Sequence, residues 1–215
     1  MKMKKTVLFM AMVAASLHGF AQHEVGKLTF IPKVGVNLST VQGDEAYYLK
    51  DGLGTTKLEP KYRIGINAGI EGEYQMSKQL ALSAGVVYSL QGMKYDDIEY
   101  QRNYSTTFHN VNVPVLLNFY VVKGLALKAG LQAGYAFKKG ESYDELRENG
   151  SWESYKSSGS IYKEFDVSVP VGVSYDIERL RLELRYNHGL TSISDLKGLP
   201  STHHRVFQFS VGYSL

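Results

Sequence analysis

The chain has no cysteine, so if it is exported it must hold together without disulfides. It also has no internal apolar run long enough for a membrane-spanning helix, and its mean hydropathy is −0.21. That excludes a helical membrane protein but not a β-barrel, in which alternation dilutes the apolar residues. Motifs for phosphate loops, HExxH zinc sites and calcium loops are missing too, so no cofactor and no metal is expected.

Net charge is lacking once the N-terminus is set aside. Lys2, Lys4 and Lys5 precede an apolar run over residues 7–17, and Gly19-Phe20-Ala21 puts small residues at −3 and −1 of a cleavage before Gln22. This is the pattern of a secretory signal peptide, and the run is too short to span a bilayer. Taking its three lysines from the 24 basic residues leaves 21 against 21 acidic ones. The pI near 8.8 therefore belongs largely to the precursor, and a nucleic-acid partner loses its support. The expected organisation is a cleaved signal over residues 1–21, exported by the general secretory route, and one domain over 22–215.

What remains is alternation. Between residues 111 and 121 the odd positions are Val111, Val113, Val115, Leu117, Phe119 and Val121. Across a short turn at Lys123-Gly124, odd positions are apolar again from Leu125 to Phe137, with Lys128, Gly130, Gln132, Gly134 and Lys138 between them. A period of two gives a sheet one apolar and one polar or small face, and each run is long enough for a tilted strand to cross a bilayer. The same pattern recurs over residues 28–38, 62–74, 80–90, 165–177, 180–190 and 205–215. Pro32 removes a ladder donor from the first of these and predicts a local irregularity.

Eight strands result, their connections alternating long and short as in barrels with short periplasmic turns and long outer loops. Alternation alone does not say which face is inside, and a soluble sandwich or lipocalin-like barrel would hide its apolar face. The aromatic distribution separates the two. Phe30, Tyr74, Phe119, Tyr175 and Tyr213 sit near the short turns, and Tyr62, Tyr88, Tyr135, Phe137, Phe165, Tyr186 and Phe207 near the long loops. Aliphatic residues fill the band between, which matches two membrane interfaces. The 16 tyrosines suit those interfaces, and the 21 glycines suit a crowded lumen. The fold class expected is all-β: an eight-stranded antiparallel up-and-down transmembrane β-barrel.

The segments KVGVNLST (33–40), VNVPVLLNFYVVKGLALKAGLQAGY (111–135), LELRYNHGLTSI (182–193) and FQFSVGYSL (207–215) resemble the porin-like outer-membrane β-barrel family of Bacteroidota, which includes the PorT-like proteins. The resemblance spans the mature chain and implies a fold rather than an activity. Leu215 departs from the terminal aromatic, usually Phe, that the family prefers. By analogy with the PorT-like members it also implies an accessory role in a secretion machine.

An eight-stranded barrel has an interior just wide enough for side chains to fill. Lys33, Lys128, Arg181 and Arg185 fall in the lower half of the polar face with Glu71, Glu73, Asp176 and Glu183, while Arg63 and Asp166 sit near the upper rim. Five basic and five acidic groups balance, and unpaired charges would be costly there, so ion pairs are expected, with Arg185 and Lys33 against Glu71 and Glu183 at the centre. A selective pore shows a ring of one sign; balance points to a plug.

No catalytic residue is assigned. His109, His188, Ser192, Ser194 and Asp195 gather near the outer rim, but only fold-level analogy makes a triad of them. His203-His204 lacks the acidic neighbours of a metal site. The outer segments 40–61 and 139–164 carry Tyr47, Tyr48, Tyr143, Trp152, Tyr155 and Tyr162, a set that suits ligand capture and equally suits rings folded back on the rim. The expected protein is a non-enzymatic, monomeric barrel with a plugged lumen and a role in surface binding, adhesion or envelope integrity. The alternatives are a narrow channel for small solutes and a secretion accessory. Its partners are membrane lipid or lipopolysaccharide, the barrel assembly machinery and an unidentified extracellular ligand.

Overall fold

A computed structural model describes residues 24–43, 47–51, 54–58, 60–97, 100–158, 163–193 and 202–215. The expected signal segment lies outside the described residues. Eleven strands follow in order: β1 (Leu28–Gly43), β2 (Tyr47–Asp51), β3 (Gly54–Leu58), β4 (Lys61–Gln75), β5 (Leu80–Lys94), β6 (Gln101–Val122), β7 (Leu125–Leu146), β8 (Trp152–Ser158), β9 (Phe165–Ile177), β10 (Leu180–Gly189) and β11 (Thr202–Tyr213). Eight of them, all but β2, β3 and β8, close into an antiparallel ring ordered β1-β4-β5-β6-β7-β9-β10-β11. The seam is sealed by pairing of β1 with β11 from Lys33↔Gly212 to Gly43↔Thr202. On that side the regular pairing begins at Lys33, one residue beyond Pro32, and is taken up again by the Leu215 N–H, which donates to the Phe30 carbonyl at 3.0 Å; on the other side Pro32 lies opposite Ile70. The missing N–H thus interrupts the seam ladder for one pair.

The turns at one end are as short as the sequence demands. Gly124 has φ +79°, and a Cβ there would lie 2.7 Å from the Asp176 carbonyl oxygen; its own carbonyl accepts the Asp176 N–H at 2.8 Å. The tight approach and the positive φ both call for glycine. At the two-residue turn Glu178-Arg179, Glu178 takes the left-handed conformation, φ 55°, as a tight hairpin requires.

The sheet is inside-out relative to a soluble protein. Val34, Ile64, Ile66, Val86, Leu117, Leu127, Leu131 and Leu184 are exposed on its outer surface, with Phe30, Tyr74, Phe119, Tyr175 and Tyr213 at one end and Tyr62, Tyr135, Phe137, Phe165 and Phe207 at the other. Such an apolar band between aromatic girdles is stable only against lipid.

At the long-loop end the ladders run on beyond the length needed to cross. β6 and β7 are 22 residues each, about twice what a tilted membrane strand needs. Their outer halves pair with each other, and that of β7 pairs with β8 from Gly140↔Ser158 to Leu146↔Trp152, building a three-stranded blade above the membrane. The segment 139–164 is therefore mostly sheet and not a structureless loop, and 101–109 is strand. A register shift at Phe137, between the pairs His109↔Lys138 and Asn110↔Ala136, marks where barrel becomes blade. It turns Lys138 outward and leaves Lys139 largely covered, 3.8 Å from Glu164.

Candidate functional site: a layered lumen and an outer blade

The inward faces of the eight strands stack in layers. Nearest the short turns, Arg181 on β10 donates to both carboxylate oxygens of Glu73 on β4, at 2.6 and 3.0 Å, and to Asp176 on β9 at 2.6 and 2.8 Å. Tyr120 on β6 accepts from Arg181 at 2.9 Å and donates to Glu73 at 2.6 Å, while Asn118 donates to Glu73 at 2.7 Å. This fork geometry is the strong, directional form of an ion pair.

One layer up, five charges share a centre. Lys33 reaches Glu71 at 2.5 Å and Glu183 at 3.1 Å; Lys128 reaches Glu183 at 2.6 Å; Arg185 bridges Glu71 at 2.8 Å and Glu183 at 2.6 Å. The lower cluster has one cation to two anions and this one has three cations to two, so the eight charges cancel. β10 is central because Arg181, Glu183 and Arg185 alternate inward from one strand and reach β1, β4, β7 and β9. Above them lies a neutral layer: Asn67 donates to Asn37 at 2.8 Å, Asn37 to Ser89 at 2.8 Å, Ser210 to Asn67 at 2.9 Å, and Asn187 to Gln208 at 2.9 Å.

Nine of the ten charged residues expected in the lumen are buried there, and Arg63 is half-buried. Arg63 and Asp166 do not join the ion-pair network. Among the described residues the Arg63 guanidinium reaches the Gln91 carbonyl alone, at 3.5 Å. β4 and β9 stand diametrically opposite in the ring, which leaves these two groups on opposite walls.

The outer mouth holds something the alternation did not announce. Val41, Met93, Tyr95, Phe108 and Ile193 form a buried apolar cluster, with Tyr104 packed against it. Phe108 meets His204 edge-on, ring centres 5.2 Å apart. Ile193 comes from the segment after β10, pinned by its N–H to the Thr202 carbonyl at 2.8 Å and its carbonyl to the Lys163 N–H at 2.7 Å. A signal was present: continuing each inward phase by one step past the polar residues gives Val41 after Ser39, Met93 after Gln91 and Phe108 after Asn110.

From this cap an aromatic row runs onto the blade. Tyr95 meets Tyr104 edge-on at 5.2 Å, Tyr104 stacks on Tyr143 at 5.7 Å, and Tyr143 on Tyr155 at 5.5 Å, where the Arg147 guanidinium lies 5.2 Å above the last ring. Elsewhere on the blade Arg102 lies 4.2 Å over Trp152 and pairs with Asp144 at 3.3 Å. Asp144 also accepts from Ser154 at 2.6 Å and Asn103 at 2.8 Å; these bonds, that from Ser154 foremost, hold its carboxyl below the usual carboxylate range. Of the aromatic set, Tyr143 and Tyr155 thus come together on one face of the blade, while Trp152, three positions from Tyr155 along β8, lies on the other. Tyr47 and Tyr48 lie on β2, which among the described residues pairs with β3 alone, and Tyr162 lies outside the described residues.

The rim histidines are held by tyrosines. His109 Nδ1 is 2.8 Å from the Tyr88 hydroxyl, and His188 Nδ1 is 3.3 Å from that of Tyr186. Ser192 accepts the Thr202 N–H at 3.2 Å; Ser194 and Asp195 lie outside the described residues.

Among solved structures, the chain is similar to the attachment invasion locus protein Ail of Yersinia pestis, with 13% identity and a TM-score of 0.47 over 89% of this chain and 100% of that one. It is also similar to Neisserial surface protein A, with 12% identity and a TM-score of 0.47 over 88% and 99%. OprG from Pseudomonas aeruginosa gives 12% and 0.45 over 90% and 97%. No curated protein sequence matches it. The family model described as "Outer membrane protein beta-barrel domain" matches residues 20–195, most of the chain. The protein belongs to that outer-membrane β-barrel family and resides in the outer membrane.

Proposed function

We propose that this barrel is a closed membrane anchor whose work is done outside, by capture of an extracellular ligand on the β6–β7–β8 blade. The observation that carries the reading is a continuous aromatic row, Tyr104–Tyr143–Tyr155, projecting above a lumen filled by paired charges and an apolar cap. Stacked tyrosines on a sheet offer rigid amphipathic area at low entropic cost, the property binding surfaces select. Layers of balanced charge, by contrast, offer no ring of one sign to select an ion. The reading assigns no catalytic step to any residue. It takes the protein as a monomer, exported on a cleaved N-terminal signal, inserted by the barrel assembly machinery and solvated by outer-membrane lipid, with no nucleic-acid partner. The reading as a narrow channel rests on the polar inward face, and that as a secretion accessory on the sequence resemblance alone.

Cells displaying the wild type should adhere to host-matrix or glycan-coated surfaces. A Tyr143→Ala/Tyr155→Ala/Trp152→Ala variant displayed at the same level should lose most of that adhesion. Equal adhesion by the two would contradict the assignment.

A further inference from the structure

Asp166 is the exception among the lumen charges. Eight of the ten are tied into the ion pairs described, and Arg63 is half open at the rim. Asp166 is 8% exposed, and its carboxylate makes neither a hydrogen bond nor an ion pair with any described residue. A buried carboxylate left so is costly, and structures pair or coordinate such charges. Its surroundings are oriented toward it. A methyl group on Gly134 would lie 2.3 Å from Asp166 Oδ1 and 2.9 Å from Asn112 Oδ1, so both oxygens crowd into the space that this glycine leaves. Gly134 pairs with Asn112 on one side and Asp166 on the other. Asn112 and Asn110, the next inward residue of β6, are each 1% exposed, and the acceptor Asn110 Oδ1 has no partner among the described residues. The next inward residue of β6 beyond Asn110 is Phe108 of the apolar cap.

We infer that Asp166, Asn112 and Asn110 form a site for one small divalent cation of the calcium class, lodged in the upper lumen between the apolar cap and the ionic core. The donors are hard oxygens, which such a cation takes at about 2.3–2.6 Å, and the spacing of Asp166 Oδ1 and Asn112 Oδ1 about Gly134 suits one ion bound by both. With a single carboxylate the affinity belongs to the weak extracellular class, on the order of 10⁻⁴–10⁻³ M. Bound there, the ion ties β6 to β9 across β7, at the level where the barrel passes into the blade. His204 is the other candidate for offsetting the charge: it is buried against Phe108, and its Nδ1 has no partner among the described residues.

The test is calorimetric titration of calcium chloride into the purified, folded full-length barrel in detergent, with thermal unfolding followed in parallel. Wild type should bind one calcium per barrel and unfold at a higher temperature in millimolar calcium than in sodium chloride of equal ionic strength. Asp166→Asn, which keeps the side chain's shape, should weaken that binding at least tenfold and abolish the thermal shift, and Asn112→Leu should repeat the effect from the opposite strand. Heat-shifted gel migration reports that each variant is folded. Absence of a saturable site in wild type, or binding unchanged in Asp166→Asn, overturns the inference. So does stability that responds to His204→Gln and not to calcium, because imidazolium would then be the counter-charge.

Discussion

The two halves of the lumen are closed by opposite means. Near the short turns the interior is filled by eight charges in direct contact; near the outer mouth it is filled by Val41, Met93, Tyr95, Phe108 and Ile193. A charged plug is specific and brittle, because each group is tolerated only while its partners are present. An apolar plug is graded, because truncation costs in proportion to the volume removed. The lower half also draws its groups from strands held by their ladders. The upper half borrows Ile193 from a connecting segment, so that closure at the outer mouth depends on how that segment is pinned.

The comparison is broken hardest at Arg185. Arg185→Met strands Glu71 and Glu183 with only Lys33 and Lys128 between them, and should cost about 3–5 kcal/mol in urea unfolding from lipid vesicles. Replacing Glu71 by Gln in the same background should recover a large part of the loss, since Lys33 and Lys128 both keep Glu183 and the six charges that remain again cancel. Next comes Phe108→Ala, which leaves a void in the cap and should cost about 3 kcal/mol without a matching rescue by charge neutralisation. If the two variants respond alike to neutralisation, the distinction between the plugs fails.

The smallest effect separates blade from barrel. The carboxyl of Asp144 is held below its usual range, first by the Ser154 hydroxyl and then by Asn103 and Arg102. A depressed value means that this carboxylate supports the blade above its unfolded pKa and that the support is lost as pH falls through the folded value. The fluorescence of Trp152, the only tryptophan, should therefore change on acidification below the ordinary aspartate range while the barrel stays folded by gel migration. Asp144→Asn should remove the transition.

The sequence displayed the barrel and its lower lumen because both obey a period of two against a sharp contrast of environments. Lipid outside and packed charge inside fix the phase of Lys33, Glu71, Lys128 and Arg185 on sight. The pairing of Lys33 and Arg185 with Glu71 and Glu183 followed from their shared depth and is what the structure shows; the partners of Lys128 and Arg181 needed the register, because they depend on the stagger between strands. Strand length above the membrane was invisible for the complementary reason. With water on both sides of 139–146, the run Lys139-Gly140-Glu141-Ser142-Tyr143-Asp144 has no apolar face to alternate, and only the Thr, Tyr and Phe content of 104–108 hinted at β structure. The cap was half legible, since Val41, Met93 and Phe108 continue known inward phases. Ile193 was not, because its place is set by tertiary contacts of a connecting segment.

The central claim is that the lumen is closed, and current through the purified barrel in a planar bilayer measures that directly. The account predicts no steady conductance from wild type or from Phe108→Ala, whose ionic core is intact. A steady ohmic current from the wild-type protein would contradict it.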